Sequence, residues 1–186
     1  LVSDENFFTK PQIEQNILSR RSFLVLRNRL CTLKNTNHNY PNFENDISYI
    51  LYNNQRSVTF KISGDINTDI KVNASIQLDG SSTPKDISLL GSGTLQIIEL
   101  MLALYEQKKD LNLIMLDEPD SHIHRDIQKR LIETLLKSCS KAQIFLTTHN
   151  EGLIRATAPK NIFHITNNTI QSDIKPITTE TSPSQR

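Results

Sequence analysis

Two adjacent carboxylates, Asp117 and Glu118, follow the apolar run Leu113-Ile114-Met115-Leu116. Further along, Ile144-Phe145-Leu146 runs into Thr147-Thr148-His149. Each run reads as a short strand, 111–116 and 143–148, the first covered on both faces and the second also buried. Between them, 125–138 carries Ile127, Leu131, Ile132, Leu135 and Leu136 as the apolar stripe of an amphipathic helix. Strand, helix and strand predict a right-handed crossover whose two strands end at the same rim. Ligands of open parallel sheets bind beyond that rim. There the first carboxylate suits a Mg²⁺ ion held through water, and the second suits the orientation of an attacking water. The histidine could donate to a phosphate or to that water. A plainer reading of Asp117-Glu118 is a polar cap on the next helix; Pro119 and the opposing His149 weigh against it.

A third feature is the loop Gly91-Ser92-Gly93, which opens onto a helix expected over 94–109. Backbone amides at a helix N-terminus, approachable where glycines lack side chains, can hold an anion. The same residues also make an ordinary loop.

The elements that must position these groups are legible upstream as well. Alternation of apolar and polar residues over 57–63 and 70–78 predicts half-buried antiparallel strands ending at Asp79-Gly80, with a loop at 81–86. Thr9-Lys10-Pro11 reads as a helix start, and 10–34 as one helix. The Asn-rich stretch 35–45, with Pro41, reads as a loop. Between Gln15 and Phe43 there are Arg20, Arg21, Arg27, Arg29 and Lys34 and no acidic residue. That excess could contact phosphates, but a solvated helix face is the default reading. The Thr-, Ser- and Pro-rich 178–186 reads as a mobile tail.

Composition sets the outer bounds. The chain has 186 residues, 37% of them hydrophobic, with a net charge of +1 and two cysteines. There is apolar material for a real core, no basis for global attraction to nucleic acid or anionic membrane, and no disulfide framework. No apolar run approaches a membrane span and no secretory signal is present, so a cytoplasmic globular domain is expected.

In order, the Gly-Ser-Gly loop with its helix, the strand with Asp-Glu-Pro and the strand with Thr-Thr-His resemble the second half of an ABC-type ATPase head. The resemblance covers roughly 57–166. It likens 90–94 to the ABC signature, Asp117-Glu118 to the Walker B pair and His149 to the switch histidine. Asp120, Ser121, His122 and His124 fall where that superfamily has its D-loop. Their His-x-His form is similar to SMC-like and overcoming-lysogenisation-defect (OLD) type AAA family ATPases, many of them linked to DNA repair or anti-phage defence. Arg125 stands where that subgroup usually has Pro, and Gly91 where the signature has serine.

The resemblance implies an α/β C-terminal lobe over 56–175, with a mostly parallel sheet core, an antiparallel portion, a helical, coiled-coil-like arm over 1–55 and a tail at 176–186. It implies ATP and Mg²⁺ as cofactors, with Asp117 on the metal, Glu118 and His149 catalytic, and Gly91, Ser92 and Gly93 binding nucleotide in trans across a head–head homodimer. None of the five glycines precedes a lysine, so no Gly-x-x-x-x-Gly-Lys-Ser/Thr phosphate loop exists in these residues. SMC-like heads carry that loop on an N-terminal Walker A lobe of the same protein, which becomes an expected partner. A nuclease or other effector and DNA are further partners the resemblance allows; a membrane is not.

Three other readings compete. Asp120, His122 and His124 could bind a metal, but a well-placed fourth ligand is missing and helix-entry packing is preferred. Ser92, Asp117 and His149 follow hydrolase-triad order, yet Gly-x-Ser-x-Gly and its strand are absent. A degenerate ATPase half could serve purely as an assembly module, but such a module need not keep a metal ligand beside a base. Cys31 and Cys139 read as ordinary thiols.

Overall fold

The computed structural model describes residues 5–64, 69–107, 113–119, 123–166 and 169–172. They belong to two compact units: Leu1–Met115 with Ser121–Phe145, and Leu116–Asp120 with Leu146–Arg186. The chain is mixed α/β. It runs β1 (Glu5–Asn6), α1 (Lys10–Leu18), α2 (Leu26–Thr36), α3 (Tyr40–Tyr52), β2 (Val58–Ser63), β3 (Lys71–Leu78), β4 (Lys85–Asp86) and α4 (Ser92–Gln107). Then follow β5 (Leu113–Asp117), α5 (Arg125–Ser138), β6 (Gln143–Thr147), α6 (Glu151–Ala156), β7 (Phe163–Thr166) and β8 (Thr169–Ser172).

The expected alternating strands form an antiparallel pair. Val58, Phe60 and Ile62 stand opposite Leu78, Ile76 and Ala74. Their shared face meets the helices through the ring cluster of Tyr40, Phe43, Phe60 and Tyr105, whose neighbouring centroids are 5.5–5.8 Å apart. Leu30, Ile47, Ile50, Ile97, Ile98, Met101, Leu102, Leu131 and Leu135 complete the core. On its far edge, β2 donates from the Val58 amide to Ser48 Oγ at 2.8 Å and from the Phe60 amide to Glu44 Oε1 at 2.7 Å. Helix α3 thereby satisfies amides that would otherwise be an open sheet edge.

Four local expectations are corrected. The helix predicted over 10–34 breaks after Leu18: Arg20 takes a left-handed φ of 58°, and a 3₁₀ turn at Ser22–Val25 leads into α2. The loop predicted over 35–45 contains the start of α3, because Pro41 sits in the first turn, where its missing N–H costs nothing. Arg27 and Arg29 are neither phosphate contacts nor a solvated face. Arg29 is 4% exposed and grips Glu106 of α4 with Nε and Nη2 at 3.0 and 2.8 Å, while Arg27 Nη2 meets Asp86 at 2.7 Å. The first site strand is not covered on both faces within this chain, since Leu113 and Met115 are 53% and 75% exposed; Phe145 of the second strand is exposed as well.

Strands β5 and β6 form their own two-stranded sheet, with α5 between them in the chain. Their carboxyl-terminal ends meet, since the Glu118 amide donates to the Thr147 carbonyl at 3.2 Å, so they run parallel. The parallel core expected for an α/β head is thus confined to this pair among the described residues, and the larger sheet is antiparallel. A parallel pair needs a helical crossover, and the described residues contain one between paired strands. Strands β7 and β8 make a separate antiparallel hairpin. Cys31 and Cys139 are buried and unbridged. Among the described residues no helix is long and apolar enough to cross a membrane. The expected tail at 178–186 lies outside the described residues.

Candidate functional site

The crossover delivers its polar residues to one place, within the second unit. Asp117 is the last residue of β5, and Glu118 follows in a left-handed turn with φ of 44°, a conformation unusual for a residue with a side chain. The turn leads into Pro119, which is buried. Glu118 Oε1 lies 2.9 Å from His149 Nε2.

Thr147, the last residue of β6, links the two carboxylate residues. Its hydroxyl donates to Asp117 Oδ1 at 2.6 Å and accepts from the Glu118 amide at 3.0 Å. Beyond it, Thr148 Oγ1 accepts from the Asn150 amide at 3.0 Å, and Asn150 Oδ1 caps α6 by accepting from Gly152 and Leu153 at 2.8 and 3.3 Å. His149 is therefore held between a strand end and a capped helix while its ring stands in solvent, 92% exposed. Neither Thr147, which stands in the run ending at His149, nor Asn150, which follows it, was a candidate on sequence. Asn two residues before Gly, at the end of a strand, is a legible capping signal; Thr147's bridge depends on strand register and is not.

Asp117, Glu118 and His149 are thus brought together. Asp117 presents a solvent-exposed carboxylate with one oxygen oriented by a hydroxyl. That is the hard oxygen donor Mg²⁺ takes from a protein when phosphates and waters complete its shell. Gly91, Ser92 and Gly93 belong to the other unit. Gly91 accepts from the Leu95 amide at 3.1 Å and Ser92 begins α4, so the loop is the exposed N-terminus of a sixteen-residue helix. A Cβ built on Gly91 would meet nothing within 4 Å. His124 caps α5, its Nδ1 accepting from the Asp126 amide at 3.4 Å, with its ring exposed. Asp120, Ser121 and His122 lie outside the described residues. No group of three or more potential metal-binding side chains gathers among the described residues.

The strand-end Asp-Glu pair and the histidine on its crossover neighbour sit in a fold similar to the heads of SMC ATPases. The chain belongs to the AAA family described as "AAA domain, putative AbiEii toxin, Type IV TA system", which matches residues 10–155. Its fold is similar to a solved structure from work on "ATP-driven dimerization and DNA stimulated activation of SMC ATPases", at TM-score 0.57 and 13% identity, covering 77% of this chain and 86% of that one. It is also similar to the Smc head domain with an extended coiled coil bound to the C-terminal domain of ScpA, from Pyrococcus furiosus, at TM-score 0.50 and 14% identity. That match covers 77% of this chain and 36% of the other, so the chain spans about a third of that head's length. No curated protein matches it in sequence.

Proposed function

We propose that this chain is the C-terminal lobe of an ATP-hydrolysing, SMC- or OLD-like head, and that a separate Walker A lobe supplies the phosphate loop its residues lack. The observation that carries the reading is the 2.9 Å contact of Glu118 with His149 beside a carboxylate, Asp117, that a hydroxyl already orients. Asp117 would hold Mg²⁺ through water, and the ion would supply charge neutralisation at the phosphates. Glu118 accepts a proton from the attacking water and aims it. His149 reports the γ-phosphate by exchanging its contact with Glu118 for one with that group. Gly91, Ser92 and Gly93 close on nucleotide bound to an opposing head, so activity requires a dimer. Asp120, Ser121, His122 and His124 are assigned to the D-loop of that head. The solved structure concerned with ATP-driven dimerisation supports the dimer by fold likeness. Hydrolysis would then gate a DNA-linked or anti-phage process in the cytoplasm through a nuclease or other effector.

The test is Glu118→Gln in the full-length protein. ATP binding should persist while turnover falls by about 10²-fold or more, because a positioned general base is worth that much. Turnover within about threefold of the parent would remove Glu118 as the base, and a parent protein that binds ATP without turnover would leave the assembly-module reading in its place.

A further inference from the structure

We infer that Thr147 is a positioning residue for the hydrolytic site, acting through Asp117 and Glu118 at once. The inference rests on the reading of those two carboxylates given above and adds a third group to it. Three observations converge on one hydroxyl. It donates to Asp117 Oδ1 at 2.6 Å, it accepts from the Glu118 amide at 3.0 Å, and the residue whose amide it holds has a φ of 44°.

The chemistry follows from what each bond does. A hydroxyl has one proton to give and lone pairs to receive, so one Thr can serve a carboxylate and an amide together. Giving its proton to Oδ1 fixes the rotation of the Asp117 carboxylate and leaves Oδ2 as the oxygen that would be available to a metal. Accepting from the Glu118 amide ties down the first peptide of a turn that a side chain disfavours. The Thr147 carbonyl accepts from the same amide at 3.2 Å, so the amide is held by both backbone and side chain of one residue. The left-handed turn is in turn what carries Glu118 toward His149 at 2.9 Å. Thr147 thereby couples the direction of the metal-binding carboxylate to the direction of the base. Its β-branch suits the strand it ends, so the hydroxyl can be removed with the shape kept.

The experiment compares Thr147→Val and Thr147→Ser with the parent and with Glu118→Gln, all in the full-length protein. Thr147→Val should lower kcat by roughly 10- to 100-fold, the usual cost of losing a group that orients a metal ligand, with the Kd for ATP moved less than about threefold. Thr147→Ser should stay within about threefold of the parent, because it keeps the hydroxyl. A second readout is independent of turnover. In a Glu118→Gln background loaded with ATP, Mn²⁺ binding followed by electron paramagnetic resonance should weaken roughly tenfold on adding Thr147→Val and not on adding Thr147→Ser. If the valine variant fails to fold, Thr147→Ala against Thr147→Ser isolates the same hydroxyl.

Thr147→Val at the parent kcat and Mn²⁺ affinity, with Glu118→Gln inactive, would overturn the role of Thr147 and leave that of Glu118 standing. Serine failing as badly as valine would also overturn it, since shape would then be what matters. Glu118→Gln turning over at the parent rate would instead remove the underlying reading, and this inference with it.

Discussion

His149 Nε2 and Glu118 Oε1 stand 2.9 Å apart, on side chains that are 92% and 47% exposed. A contact so open to water contributes little to folding, because both partners are well solvated when separated. On the function proposed above its geometry has a different use: it would park the base beside the group that leaves it when a phosphate arrives.

The pair therefore predicts a separation of stability from activity. His149→Ala should leave the melting temperature within roughly 2 °C of the parent. Steady-state ATP hydrolysis by the full-length protein should nonetheless fall by about 10²-fold, with ATP binding retained. A large loss of melting temperature together with unchanged hydrolysis would make the contact a structural one.

A second prediction concerns pH and the packing of α2. Partial burial pushes the Asp86 carboxyl up, but the Ser88 hydroxyl and amide at 2.5 and 2.8 Å and the Arg27 guanidinium at 2.7 Å outweigh it and hold it below the usual carboxylate range. A carboxyl depressed in the folded state contributes stability that is present above its unfolded pKa and is lost as pH falls through the folded value. Asp86→Asn should thus lower the melting temperature clearly near neutrality, and the gap from the parent should close below a pH of about 4. Glu5 behaves oppositely. Burial pushes its carboxyl up, and hydrogen bonds from Asn28 and the Arg27 amide only partly offset that, so it favours the folded state as pH falls. In Glu5→Gln, acidification from neutrality should bring a smaller gain in melting temperature than in the parent. Thermal melts across pH 3–7 check both slopes, and parallel curves for Asp86→Asn and parent would remove the Asp86 assignment.

How much of this was legible depends on where each residue's partner lies. The pairing of β2 with β3 shows in the alternation of Val58, Phe60 and Ile62, because that signal is local and a face is buried. The β5–α5–β6 crossover shows for the same reason, in the stripe Leu131, Ile132, Leu135. Arg29 was misread because its partner Glu106 lies 77 residues on, and nothing local distinguishes a buried arginine from a solvated one. Helix α3 was hidden by an Asn-rich entry whose Pro41 breaks a helix interior but fits a first turn. Leu113 and Met115 look like core on composition, yet composition does not say what covers them. At the site, the types and order of Asp117, Glu118 and His149 were readable, whereas the Thr147 bridge exists only once two strands are in register.

The last prediction tests whether the glycine–serine loop completes a site on another subunit. Ser92 is exposed at the first turn of α4, and Gly91 before it faces open space. Ser92→Arg should therefore fold as the parent does, with an unchanged melting temperature, because a side chain at this exposed position can extend into solvent. The same arginine fills the space through which a phosphate would approach the helix amides, so hydrolysis should be lost. Mixing this head with a Glu118→Gln head then separates two geometries. In a two-site sandwich, each site takes Glu118 from one subunit and the loop from the other. A mixed dimer gathers both lesions into one site and leaves its second site whole. With random pairing, half of the dimers are mixed and each carries one intact site, so about a quarter of the parent activity should return. If the loop serves its own subunit, every site in every dimer carries one lesion and no activity returns. Strict coupling between two sites would also hold steady-state activity at zero, and single-turnover hydrolysis at one occupied site distinguishes it: a burst from mixed dimers keeps the trans assignment, and its absence ends it.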